Sequence, residues 1–249
     1  MSFSTANIKA LLICATLLLP LLGHAAQAQL ACDHFTPDVL AAPEPREAAS
    51  AVRRFELINA EVKSVRHRVL FLGDSITERF DPEVWRQHME PRGVLNAGVN
   101  GDRTEHLLWR VKHGNLAGPP PAAVIVLIGT NDLTNGGNGR PPEVTAEGIR
   151  ANLVYLRQHL PKARVLLLGL YPREDVPRLR PSIAAVNRLI QNCGDGHAVV
   201  YADIGGTLLD AQGHLTREIS PDLLHFSRLG YERLVPKLDA LIDDLLAGR

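Results

Sequence analysis

Five short apolar runs, each followed by a stretch of helical character, set the limits on what this chain can become. The runs are RVLFLG (68–73), GVLNAGV (93–99), AAVIVLIG (122–129), RVLLLGL (164–170) and AVVYADI (198–204). Several are apolar at consecutive positions, as a strand buried on both faces requires. The intervening segments PEVWRQHM, RTEHLLWRVKHG, EVTAEGIRANLVYLRQHL and RPSIAAVNRLIQNC read as helices. SRLGYERLVPKLDALIDDLL closes the chain as a long amphipathic helix with a kink expected at Pro236. Strand, helix, strand repeated through five strands calls for right-handed crossovers and a parallel sheet covered on both sides. The expected fold class is α/β, in one domain spanning residues 51–249, with no internal repeat and no coiled-coil heptads.

At 249 residues the chain is long enough for one substantial core and short for two. Lys plus Arg equals Asp plus Glu at 27 each, and the few aromatics are not interleaved with basic clusters, so nucleic acid is not an expected partner. The first 28 residues read as an export signal. Lys9 flanks ALLICATLLLPLLG, which is apolar but short for a membrane span, and Ala26-Gln27-Ala28 fits a cleavage site. An uncleaved anchor and a lipoprotein-type modification at Cys32 are the rival readings of this segment. Residues 29–50, rich in Pro and Ala, read as a tail or linker. The mature chain keeps Cys32 and Cys193, which can pair in an oxidising compartment. There is no CxxC pair and no HExxH, so neither a metal site nor a cofactor is expected.

In parallel α/β sheets ligands bind at the carboxyl ends of the strands. Strand one ends in Gly73-Asp74-Ser75, the second leads to Gly101-Asp102, the third to Asn131-Asp132, the fourth to YPRED, and the fifth to Asp203. Ser75 and Glu78 have capping-box spacing, so Ser75 reads as a helix cap, a nucleophile, or both. Acyl transfer by a serine needs a base, an acid to orient it, and donors for the oxyanion. His225 stands just before the last helix with Asp222 three residues upstream, and Asp203 is the rival orienting acid. The N–H of Ser75, the N–H of Gly101 and the amide of Asn131 are the candidate donors. Asp74, Asp102 and Asp132 read as hydrogen-bond acceptors that fix loops.

GDSI, NAGVNGDRT, GTND and DLLH, in that order, resemble the four sequence blocks of the SGNH (GDSL-type) hydrolases, over nearly all of the mature chain. Within that family, VLNAGVNGDRTEHLLWRVKHG, VIVLIGTND and LLLGLYPRE are most similar to the catalytic subunits of intracellular platelet-activating-factor acetylhydrolase. The resemblance implies a flavodoxin-like, three-layer α/β/α fold with a five-stranded parallel sheet. It also implies a triad of Ser75, Asp222 and His225, with Ser75, Gly101 and Asn131 forming the oxyanion hole. Ile76 and Leu224 match positions that narrow the acyl pocket, which implies acetyl or another short acyl group. The G-x-S-x-G pattern of the α/β-hydrolases is absent, since Thr77 stands two after Ser75.

The expected function is therefore that of an exported (periplasmic or secreted) serine esterase acting on short-chain esters of a carbohydrate or a lipid, with no stable membrane span after signal cleavage. The alternatives are a non-catalytic carbohydrate- or lipid-binding module on the same fold, or a lysophospholipase or thioesterase. TNGGNGRPP and PREDVPRLRP are expected to form opposite walls of the cleft.

Overall fold

The computed structural model describes residues 42–134 and 139–248. The stretch read as an export signal, Cys32, the tail as far as residue 41 and the centre of TNGGNGRPP lie outside the described residues. Each apolar run contains a strand: β1 Val69–Gly73, β2 Val94–Gly98, β3 Ala123–Leu127, β4 Arg164–Leu168 and β5 Val199–Ala202. All pairings are parallel, in the order β2-β1-β3-β4-β5. This is the flavodoxin-like order, which places a topological switch between β1 and β3.

The helices, numbered along the chain, are α1 Ala49–Ser64, α2 Ser75–Glu78, α3 Pro82–His88, α4 Thr104–Arg110, α5 Pro142–His159, α6 Arg180–Ile190 and α7 Arg228–Ala247. Because side chains alternate along a strand, consecutive apolar residues feed two cores. Leu70, Leu72, Val124, Val126, Val165 and Leu167 pack with Ile58, Leu107, Ile149, Leu153 and Val186 of α1, α4, α5 and α6. Val69, Phe71, Ile125, Leu166 and Leu168 pack with Val84 of α3 and Tyr231, Leu234, Leu238 and Ile242 of α7. The result is the three-layer α/β/α sandwich.

One detail adds to the sequence reading and a second departs from it. α7 runs unbroken through Pro236. An interior proline costs a helix about 3 kcal/mol, which the burial of Tyr231, Leu234, Val235, Leu238, Ile242 and Leu245 offsets. The second is α1, which begins inside the stretch read as tail and went unassigned in the sequence. Only Ala51, Ile58 and Val62 are buried among its 16 residues, while Val52 and Leu57 are exposed, so its apolar periodicity is faint. Its contribution lies in a polar contact. β2 is an edge strand, and Arg54 donates from Nε to the Gly98 carbonyl at 3.0 Å and from Nη2 to the Asn96 carbonyl at 2.6 Å. Those carbonyls would otherwise template pairing with another chain. Cys193 is disulfide-bonded.

Gly98 ends β2 directly beneath the turn after β1. A Cβ at this position would lie 2.8 Å from the Asp74 carbonyl oxygen and closer still to the Glu78 backbone nitrogen. Both neighbours are backbone and cannot swing away. Gly98→Ala should therefore lower stability by about 1–3 kcal/mol through overpacking. The check is the midpoint of a urea titration, which should fall with an unchanged slope.

Candidate active site

The turn after β1 places Ser75 at the first position of α2. Asp74, not Ser75, caps that helix: its Oδ1 accepts from Ile76 N–H at 2.9 Å. The Ser75–Glu78 capping box does not form, because the Glu78 carboxylate accepts the Asn100 N–H instead. The Ser75 hydroxyl is thereby left for another partner, and Ser75 itself is only 3 % exposed. From below, the Tyr231 hydroxyl of α7 donates to the Ile76 carbonyl at 2.7 Å, and Asn96 Nδ2 donates to the Thr77 carbonyl at 2.7 Å. The turn that carries Ser75 is thus held by both α7 and β2.

His225 arrives from the loop before α7. Its Nδ1 lies 2.7 Å from Asp222 Oδ2 and its Nε2 lies 2.9 Å from Ser75 Oγ. An ionised carboxylate only accepts, so the ring proton belongs on Nδ1, leaving Nε2 as acceptor for the serine hydroxyl. The second oxygen of Asp222 accepts from the N–H groups of Leu224 at 3.0 Å and His225 at 2.7 Å. Partial desolvation raises the Asp222 carboxyl, but the hydrogen bonds from the His225 ring and from these two N–H groups outweigh it and hold the group down at about 2. With its side chain 56 % exposed, Asp222 is screened by water, so it acts by orienting the ring more than through its field.

The bend that brings Asp222 and His225 together passes through Leu223, whose φ of 62° is the only positive value of a non-glycine among the described residues. Such a conformation costs on the order of 1–3 kcal/mol and persists only where its surroundings hold it. Here the Leu223 carbonyl accepts from Glu174 N–H at 2.8 Å, and Ser220 Oγ donates to the His225 carbonyl at 2.8 Å. PREDVP, expected as a cleft wall, is thus also the brace of the histidine loop.

Gly101 takes φ 76°, and neither its N–H nor that of Ser75 has an acceptor among the described residues. Asn131 donates from Nδ2 to the Asp102 carbonyl at 2.9 Å, which fixes its amide beside the Gly101 loop and leaves its second N–H over. Asp203 stands apart from His225: it accepts from Gly205 N–H at 3.1 Å and from Asn187 Nδ2 at 3.2 Å, as the cap of its own turn. Ile76 is buried in the core beneath the turn, and Leu224 packs at the edge of that same core.

Sequence reasoning missed the residues that hold these groups in place. Arg110, buried in α4, donates to Asp102 Oδ2 at 2.7 Å, to the Gly73 carbonyl at 2.9 Å and to Asn115 Oδ1 at 2.7 Å. Arg173 donates to the Thr130 carbonyl at 3.1 Å and pairs with Asp175. Asp132 accepts from the Thr104 hydroxyl at 2.6 Å. Asp74, Asp102 and Asp132 therefore fix loops, as expected of them. Burial pushes the Asp74 carboxyl up to about 7, helped by the charges of Asp102 and Asp132, and pushes Asp102 and Asp132 up to about 6.

The sequence model of the GDSL-like Lipase/Acylhydrolase family matches residues 71–233. The chain is 35% identical over 191 residues to human (Homo sapiens) platelet-activating factor acetylhydrolase IB subunit alpha1, covering 76% of this chain and 80% of that one. Among solved structures it resembles a GDSL-like lipase from Bacteroides thetaiotaomicron, with TM-score 0.59, 21% identity and coverage of 80% and 98%. An acetyl-xylooligosaccharide esterase from Geobacillus Stearmophilus gives TM-score 0.56, 17% identity and coverage of 73% and 95%. At such identities the two structures speak for the fold alone.

The raised carboxyls carry a pH signature. A folded-state value above the ordinary carboxylate value means that the folded chain binds more protons than the unfolded one between about pH 4 and 7. The stability contributed by Asp74 is therefore complete below this window and lost as pH rises through it. Asp74→Asn keeps an acceptor for Ile76 N–H and removes the titration. Between pH 5 and 8 the wild-type Tm should fall relative to that of Asp74→Asn. A constant difference across the range would refute the assignment.

Proposed function

The chain belongs to the GDSL-like lipase/acylhydrolase family and is a carboxylic ester hydrolase; on that premise, we propose that it is an exported serine esterase that removes acetyl or other short acyl groups through an acyl-enzyme on Ser75. The observation that carries this reading is the unbroken line of hydrogen bonds from Ser75 Oγ through the His225 ring to Asp222. As the Ser75 oxygen attacks the ester carbonyl, its proton passes to His225 Nε2, and Asp222 holds the ring that becomes cationic. The carbonyl oxygen, now carrying the electron pair, accepts from the N–H groups of Ser75 and Gly101 and from the amide of Asn131. The tetrahedral intermediate collapses, His225 gives its proton to the departing alkoxide, and the alcohol leaves. Water then repeats the sequence on the acyl-serine and releases the acid.

The name of the human relative speaks of an acetyl group on a lipid, and that of the Geobacillus structure of acetyl groups on a saccharide. We assign this chain the chemistry the two share, an acetyl ester. Its N-terminal segment supports export, where acetylated glycans and lipids are both met. Leu224, beside the base, is the side chain we assign to the limit on acyl length.

Ser75→Ala should abolish labelling by a fluorophosphonate and leave the unfolding midpoint near that of the wild type, whereas a non-catalytic binding module would not label even as wild type. Asn131→Ala should reduce kcat on p-nitrophenyl acetate on the order of 10²-fold or more. Asp222→Asn should lower kcat at least about tenfold, though by less than the ~10⁴ typical of a buried triad acid, and Asp203→Asn should leave it close to wild type. Leu224→Ala should shift the preference from acetate towards hexanoate. Equal effects of the two aspartate variants would overturn the choice of orienting acid.

A further inference from the structure

Gly101 lies in a loop where almost every neighbouring peptide group is already held. Asn100 N–H donates to the Glu78 carboxylate, and Asp102 N–H donates to the Val99 carbonyl at 3.1 Å. The Asp102 carbonyl accepts from Asn131, and its carboxylate accepts from Arg110. One more group on this loop is held from upstream of α1. The Gly101 carbonyl accepts from Arg46 Nη1 at 2.7 Å. The guanidinium also lies against the Gly101 Cα: a Cβ there would stand 3.1 Å from Nη2 and 3.3 Å from Nη1. Arg46 precedes α1 and stands upstream of the family match at residues 71–233. Its segment is tied to the body by Glu44 N–H, which donates to the Glu105 carbonyl at 3.3 Å, and by Arg54 of α1 on the edge of β2.

We infer that Arg46 is a positioning residue for the oxyanion-binding loop, so that the segment before α1 is a working part of the site. The inference rests on the role proposed above for the Gly101 N–H. An oxyanion donor is effective to the extent that it need not reorganise as charge develops. Gly101 has no side chain to restrain it and occupies the left-handed region. The free loop therefore has other conformations within reach, which would not keep the N–H where the role proposed above needs it. The Arg46 bond restrains the rotation that follows Gly101, while the packed guanidinium restrains its Cα. Its fixed positive charge, one peptide from the donor, also favours an anion at that end of the cleft. These effects grow with the charge on the carbonyl oxygen, so they belong to the transition state and not to ground-state binding.

The experiment compares wild type, Arg46→Ala and Arg46→Lys on p-nitrophenyl acetate, with Tm and trifluoromethyl ketone inhibition measured for each. Arg46→Ala should lower kcat about tenfold, less than the ~10² expected for losing a donor outright, with KM within about twofold. The affinity for the ketone, whose adduct carries an oxyanion, should fall by a similar factor. Arg46→Lys, which keeps one charged donor, should recover part of the loss. Millimolar methylguanidinium should restore part of the rate of Arg46→Ala and none of that of Asn131→Ala. An unchanged kcat in Arg46→Ala overturns the inference. So does a loss of kcat matched by a fall in Tm that neither lysine nor methylguanidinium repairs, which would mark a merely structural contact. Should Arg46→Ala fail to fold, Arg46→Lys and Arg46→Gln carry the test, with kcat expected in the order wild type, Lys, Gln and any other order counting against it. A wild type that neither hydrolyses esters nor labels with fluorophosphonate defeats the esterase reading itself. An active wild type with indifferent Arg46 variants defeats this inference alone.

Discussion

The buried guanidinium of Arg110 joins the two halves of the cleft. One nitrogen donates to the Gly73 carbonyl, at the end of the strand that delivers Ser75; another donates to the carboxylate of Asp102, next to Gly101. The Ser75 turn and the Gly101 loop thereby share one rigid, planar anchor. A guanidinium suits this place because its fork of donors satisfies carbonyl and carboxylate at once, which an ammonium cannot do with the same geometry. A buried ion pair adds little net stability, yet losing one partner leaves an uncompensated charge and costs about 3–5 kcal/mol. What the pair contributes here is register: the turn after β1 and the loop after β2 cannot move independently.

Around that anchor the acidic residues after the strands divide the labour. Asp74 caps α2, Asp102 takes Arg110, Asp132 takes Thr104, and Asp203 caps its own turn. Asp222 faces the imidazole and is held down at about 2. The contrast follows from the setting: Asp74, Asp102 and Asp132 resist ionisation chiefly through burial, and Asp74 also through the charges of the other two. The exposed one is stabilised as an anion by three N–H groups.

The strands, their order along the chain and the residues at their tips were legible because a doubly covered parallel sheet leaves long apolar runs bounded by polar turns. Ser75, Gly101 and Asn131 stood out because each falls at such a boundary, and His225 because it precedes the last helix with Asp222 three residues upstream. α1 was not legible, since a helix that buries three small patches and otherwise carries charge lacks the apolar stripe by which helices are recognised. Nor was the capping role of Ser75 decided by its spacing to Glu78. That carboxylate had a second candidate donor, Asn100, which no local pattern reveals.

By itself the sequence determined the architecture and named the candidate site residues, because alternation, punctuation by glycine and short-range spacing are local properties of the chain. Only the tertiary structure chose among partners: Asp222 over Asp203 for His225, Glu78 for Asn100 and not for Ser75, Arg110 and Arg46 for the Gly101 loop. These contacts join positions as far apart as Ser75 and His225, or Arg46 and Gly101. Which of several equally polar side chains meets another across such distances depends on how the layers pack. Packing is a property of the whole core and of no single segment.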